Sequence, residues 1–150
     1  HDSPEKDKRR RRHALYLAVK VQMAKPTPLD AVELFFDALH NREKVYNADD
    51  NHMIIPRKGR LQTLHQYPEW AMHKKFVVVE TADGYVLEAM FPPNLLFGRH
   101  ERATLEAGDV YGFDVGITEG EKNKPARLLW CGSERNAEDT SGFGSIVLVE

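Results

Sequence analysis

Three aspartates, Asp37, Asp49 and Asp50, form the most oxygen-rich cluster in this 150-residue sequence. Calcium takes about six to eight oxygen ligands and suits loops built this way, where it holds backbone without doing chemistry. Aspartate is equally a common turn former, so both readings stand at this point. Two glutamates, Glu33 and Glu88, fall inside apolar runs, and a paired-carboxylate acid/base site would need a fold that brings them together. Salt bridges or surface placement are the plainer reading. Seven histidines are scattered without tight ligand spacing, and Cys131 is the sole cysteine. One cysteine permits neither an intrachain disulfide nor a cysteine zinc site within one chain. Phosphate-cradling glycine loops, Gly-x-Ser-x-Gly elbows and His-Glu-x-x-His helices are all missing, which argues against the common hydrolase and nucleotide-binding chemistries.

The aromatic residues offer a different chemistry. A sugar ring has an apolar face of C–H groups and a polar rim, so a sugar site wants exposed aromatic rings flanked by polar side chains. Trp70 and Trp130 are the largest candidates, with Tyr46, Tyr67 and Phe97 behind them. Trp130 sits among Leu128, Leu129 and Cys131, a setting that favours the core, whereas Trp70 lies in the turn Tyr67-Pro-Glu-Trp70 and is the more open of the two.

These residues are positioned by strands. Leu15, Leu17, Val19 and Val21 alternate with Tyr16, Lys20 and Gln22 at a period of two, which predicts a strand. Pro26 and Pro28 interrupt, and 31–37 follows as a second strand carrying Glu33. The polar stretch 41–51 reads as a loop. His52 to Arg57 and Arg60 to Tyr67 are a weaker strand pair around Lys58-Gly59. Asp83-Gly84 is the clearest hairpin signal, so Phe76 to Thr81 is expected to pair antiparallel with Tyr85 to Phe91. Pro92 and Pro93 stop that strand and leave a short helical turn near 93–97. Val110 to Ile117, Arg127 to Cys131 and Ser145 to Val149 bring the total to about nine strands. Many short strands separated by turns predict an all-β antiparallel β-sandwich of jelly-roll or immunoglobulin-like type.

Hydrophobic residues make up 41% of the sequence and charged residues 29%, values of an ordinary globular chain and not of a disordered one. The formal charge of −2 provides no global field for nucleic acid, and no apolar run approaches the roughly 20 residues of a membrane-spanning helix. Neither nucleic acid nor a membrane is therefore an expected partner. Residues 1–13 hold Lys6, Lys8 and Arg9 to Arg12 with interleaved acids and read as a charged basic arm or loop. Residues 14–150 read as a single β-sandwich domain. The sequence starts at His1 without an initiator Met or an apolar leader core, as a piece of something longer would.

Six segments occur in one order: Ala14-Leu-Tyr-Leu-Ala-Val-Lys-Val21, Asp30-Ala-Val-Glu-Leu-Phe-Phe-Asp37, Asp49-Asp-Asn-His52, Gly84-Tyr-Val-Leu-Glu-Ala-Met-Phe-Pro92, Gly108-Asp-Val-Tyr-Gly-Phe-Asp-Val115 and Ser141-Gly-Phe-Gly-Ser-Ile-Val-Leu-Val149. That series resembles the family nine carbohydrate-binding modules, β-sandwich domains attached to secreted bacterial glycan enzymes. The resemblance implies a non-catalytic, carbohydrate-binding domain of a secreted or periplasmic protein, with xylan, cellulose or their oligosaccharides as ligand. Glu33 matches a strand glutamate that contacts sugar in the family, and the family's calcium ions make Asp37, Asp49 and Asp50 better metal candidates. Two tryptophans that stack on sugar in the family fall at Thr27 and near Ala137 here, and a strand glutamine falls at Gly116. A sugar site in this chain would then be rebuilt around Glu33 with Trp70 or Trp130. The alternative is a structural or interaction sandwich that has lost sugar binding. The charged arm stands where the family has its first strand or two, which implies an open sheet edge covered by a neighbouring catalytic domain or a second copy. Related sandwich domains hold haem between Met and His or Lys; Met23 or Met53 could serve, but no histidine follows His100, so no haem is expected.

Overall fold

The computed structural model of the chain describes residues 14–65, 75–96, 105–120 and 126–149. Nine strands are present among them: β1 (Leu15–Gln22), β2 (Ala31–Asp37), β3 (Asp50–Pro56), β4 (Gln62–His65), β5 (Phe76–Thr81), β6 (Gly84–Phe91), β7 (Val110–Glu119), β8 (Ala126–Leu129) and β9 (Gly144–Val147). A one-turn helix, α1 (Pro93–Leu96), follows β6, and a 3-10 turn spans Glu134–Ala137. The all-β antiparallel sandwich expected from the alternation is what forms. Residues 1–13 and Trp70 lie outside the described residues.

Two sheets face each other. The smaller has the order β1-β6-β5; the larger runs β4-β3-β2-β7-β8, with β9 also pairing β7. All these pairings are antiparallel. The Asp83-Gly84 hairpin pairs Phe76 with Ala89 through Thr81 with Gly84, as its turn chemistry dictates.

Period-two alternation decides which side chains become core. Tyr85, Leu87, Ala89 and Phe91 of β6 meet Val32, Leu34 and Phe36 of β2 and Tyr111 and Phe113 of β7, all in one buried cluster. Phe36 lies with its ring centroid 5.1 Å from those of both Phe91 and Phe113, bridging the sheets. A fully buried phenylalanine stabilises a fold by about 1.5–3 kcal/mol, so this trio is a large part of what holds the layers together.

Several boundaries differ from the sequence reading. Asp50 and Asn51 do not belong to a loop: they open β3, where Asp50 pairs with Asp37 and Asn51 with Phe36. The β2 ladder supplies their backbone partners, which outweighs their polar character. The expected strand 60–67 is Gln62–His65 among the described residues. The last two strands are shorter than expected, at Ala126–Leu129 and Gly144–Val147; β8 ends where Cys131 and Gly132 donate their backbone N–H groups to Asp114 and the chain leaves the sheet. No helix among the described residues is long and apolar enough to cross a membrane.

Candidate functional site

Because alternate residues of β2 face opposite ways, Glu33, Phe35 and Asp37 project from the outer face of the larger sheet while Val32, Leu34 and Phe36 enter the core. Antiparallel pairing sets His52 opposite Phe35 on one side, and Gly116 opposite Glu33 on the other. Thr118 and Arg127 sit opposite each other one step along.

Glu33 is the centre of this face. Its Oε2 meets His52 Nε2 at 2.8 Å; its Oε1 forms an ion pair with Arg127 Nη2 at 2.7 Å and accepts from Thr118 Oγ1 at 3.0 Å. Burial alone would raise its pKa, but the His52 hydrogen bond, the Arg127 charge and the Thr118 hydroxyl together hold it below the ordinary 4.5. Glu33 is only 2% exposed. The His52 ring stacks on Phe35 with centroids 4.3 Å apart, and Phe143 packs against the Phe35 ring at 5.7 Å. The sequence reading did not assign His52, Thr118 or Arg127 a role. Placing His52 required the Asp37–Asp50 pairing of β2 with β3, which sets 52 opposite 35, and Arg127 required knowing that β8 lies next to β7.

Trp130 is not brought to Glu33. Its N–H donates to the Val115 carbonyl at 2.9 Å, which continues the β8 register and turns its side chain to the core-facing side. There the ring lies over Gly144, where an added Cβ would stand 2.6 Å from Trp130 Cζ3, and 6.2 Å from the Phe113 ring. The ring is 57% exposed, and Leu128 two residues earlier is 70% exposed, because no described strand of the smaller sheet covers β8.

The three aspartates do converge. Asp37 ends β2, Asp50 opens β3, and Asp49 precedes it; all three are buried, with one ligand atom from each lying within 4.8 Å of the others. Asp37 accepts backbone N–H groups from Asn41 and Arg42, and Asp49 accepts from Leu39 N at 3.1 Å. Asp50 Oδ2 accepts from Asn47 N at 2.7 Å, but its buried Oδ1 has no partner among the described residues. Burial, followed by repulsion from Asp49, Asp37 and Glu43, pushes the Asp50 carboxyl up to about 7, and burial with the Asp37 charge raises Asp49. Gly112 makes the approach possible, since a Cβ there would stand 2.7 Å from Asp37 Cβ. Crowded buried carboxylates with an unsatisfied oxygen fit a hard cation such as calcium.

The positions where the resemblance expected tryptophan do structural work instead. Thr27 donates its N–H and its hydroxyl to Asp30 at 2.5 and 3.0 Å, closing the turn before β2. Ala137 ends the 3-10 turn, which Ser133 and Asn136 cap reciprocally. Asn136 also donates to Asp114 Oδ2 at 2.6 Å.

The family described as "Carbohydrate family 9 binding domain-like" matches residues 13–150. This chain belongs to that family. It is a carbohydrate-binding module of the family nine type, a non-catalytic domain. The module is 30% identical over 138 residues to endo-1,4-beta-xylanase A of Thermoanaerobacterium saccharolyticum, covering 89% of this chain and 10% of that protein. It is 26% identical over 126 residues to exoglucanase XynX of Acetivibrio thermocellus, covering 82% of this chain and 11% of the relative. The module thus spans about a tenth of the length of these relatives. Among solved structures it resembles a family 9 carbohydrate-binding module from Caldicellulosiruptor kristjanssonii in complex with cellotriose, with a TM-score of 0.68 and 22% identity, covering 91% of this chain and 69% of the other. The glucose complex from the same organism matches with a TM-score of 0.66 and 22% identity, covering 89% of this chain and 70% of that one.

Proposed function

We propose that this module holds a secreted or periplasmic glycan-active protein on a plant-type polysaccharide, binding xylan, cellulose or their oligosaccharides. The observation that carries the reading is the family match over 13–150, with likeness in fold to a module whose structure contains cellotriose. In this role the domain positions a glycan and leaves bond cleavage to a neighbouring catalytic domain. Glu33 and Glu88 support that division of labour: they project from the outer faces of different sheets, so they cannot flank one glycosidic bond.

Asp37, Asp49 and Asp50 would hold calcium, the charge of which would relieve the repulsion between them and tie the end of β2 to the start of β3. The edge of the smaller sheet at β1 would be covered by the neighbouring domain or a second copy, since exposed edges invite pairing. Calorimetric titration with xylan and cellulose oligosaccharides tests the main reading. Heat of binding at millimolar sugar or below supports it; none from folded protein sinks it.

The second reading is an interaction sandwich that has lost sugar binding. Thr27 and Ala137 at the stacking positions, and the closure of Glu33 by its own neighbours, favour it. A titration without heat would leave this reading standing.

A further inference from the structure

The outer face of the smaller sheet is arranged differently from the Glu33 face. Its outward side chains form rows across the strands, and two neighbouring rows at one end are the ones that matter here. Tyr16 pairs with Met90, whose N–H donates to the Lys75 carbonyl at 2.8 Å; Ala18 pairs with Glu88, which pairs with Val77. Ala18 is too small to fill its place between the flanking side chains, and a shallow groove of about 500 Å³ results, lined by Tyr16, Ala18, Lys75, Val77, Glu88 and Met90. Tyr16 is 74% exposed, more than Trp130 or any other aromatic residue among those described. The Glu88 carboxylate and the Lys75 ammonium are engaged by no other side chain among the described residues.

We propose that this groove is the glycan-binding surface of the module, and that its ligand is a chain of pyranose rings with equatorial hydroxyls and linkages, as in a β-1,4-linked glucan or xylan. The inference rests on the carbohydrate-binding reading above and names the surface that performs it. An all-equatorial ring presents only C–H groups on its faces, which suits an exposed tyrosine beside a methionine thioether and a valine. The same ring presents its hydroxyls along its edges. There Glu88 accepts and Lys75 donates, both without a partner to give up among the described residues. An axial hydroxyl would lift the ring off Tyr16. Two strand spacings, roughly 10 Å, separate β1 from β5, so more than one ring lies across the groove. The Glu33 face offers none of this: both carboxylate oxygens are occupied, and the Phe35 ring is buried against His52 and Phe143.

Titration of the 150-residue protein with cellohexaose and with xylohexaose, followed by calorimetry and by amide chemical shifts, tests the surface. Tyr16→Ala should weaken binding about tenfold or more, and Tyr16→Trp should retain it. Glu88→Gln should weaken it several-fold, and the amides that shift should lie in β1, β5 and β6. An unchanged melting temperature in the Tyr16 variants shows that the loss is one of contact. Wild-type binding that survives Tyr16→Ala, with shifts around Arg127 and Thr118, overturns this inference and leaves the module reading intact. Absence of any wild-type binding overturns both.

Discussion

The two outer faces of the sandwich hold similar residue types in opposite conditions. On the larger sheet Glu33, His52 and Asp114 are buried, and each oxygen of Glu33 and Asp114 meets a donor. On the smaller sheet Glu88 and Tyr16 are exposed and face an open groove. A satisfied buried network contributes to stability and resists change, whereas an unengaged exposed group is available to a ligand without an internal bond being lost. The polar face that family likeness singles out is therefore, in this chain, the more structural of the two.

The sharpest way to break that contrast is to remove one carboxylate charge from each face. Glu33→Gln should destabilise the fold by about 3 kcal/mol, because it leaves Arg127 and His52 facing an uncharged amide in a buried setting. Chemical denaturation measures this, and a loss under about 1 kcal/mol would mean that the Glu33 network is not structural. The depressed Glu33 pKa gives the matching pH signature. Its contribution is present above its ordinary value of 4.5 and disappears as pH falls through the lower folded value.

The aspartate cluster should respond in the opposite sense. With the folded Asp50 pKa pushed up to about 7 from 3.8, the folded state holds a proton that the unfolded state has lost across that window. Stability of the metal-free protein therefore declines as pH rises from about 4 to 7. Thermal denaturation in chelator should give a lower melting temperature near pH 8 than near pH 5. Calcium at roughly a hundred times its dissociation constant should add about 2.7 kcal/mol near pH 8 and less near pH 5, where protons compete for the same oxygens. A calcium-independent melting temperature at both pH values would remove the metal reading.

The smallest effects belong to groups that satisfy nothing. The buried Tyr85 hydroxyl has no hydrogen-bond partner among the described residues, and burial with the nearby Asp30 charge pushes its pKa up to about 12. Tyr85→Phe should change stability by no more than about 0.5 kcal/mol, or raise it, since no bond is lost. Glu88→Gln on the exposed face should also stay within about 0.5 kcal/mol. Denaturation curves for either variant shifted by more than twice that amount would show a partner that the contrast between the faces leaves out.

Much of this was legible in the residues. Alternation in β1, β6 and β7 was enough to sort core from surface, because a strand exposes its side chains at a period of two whatever it pairs with. The Asp83-Gly84 turn was enough to pair β5 with β6. Asp37, Asp49 and Asp50 were recognisable as an oxygen-rich cluster from their types alone, though their convergence depends on the β2–β3 pairing that only the structure supplies. Tertiary structure alone decided the rest. Whether Glu33 was open or closed depended on His52 and Arg127, which arrive from strands 19 and 94 residues away in sequence. Trp130, just past the end of β8, does face the core side as its apolar neighbours suggested, but it stays 57% exposed because no described strand of the smaller sheet covers it. Tyr16 stood in the sequence as the polar partner of an alternating strand, and only the small Ala18 beside it, with Glu88 and Lys75 brought in from β6 and the residue before β5, turned that position into a groove. Periodicity is a local property of the chain and survives reading one residue at a time; accessibility is a property of what the neighbouring strands place on top, and that is settled only when the sheets close.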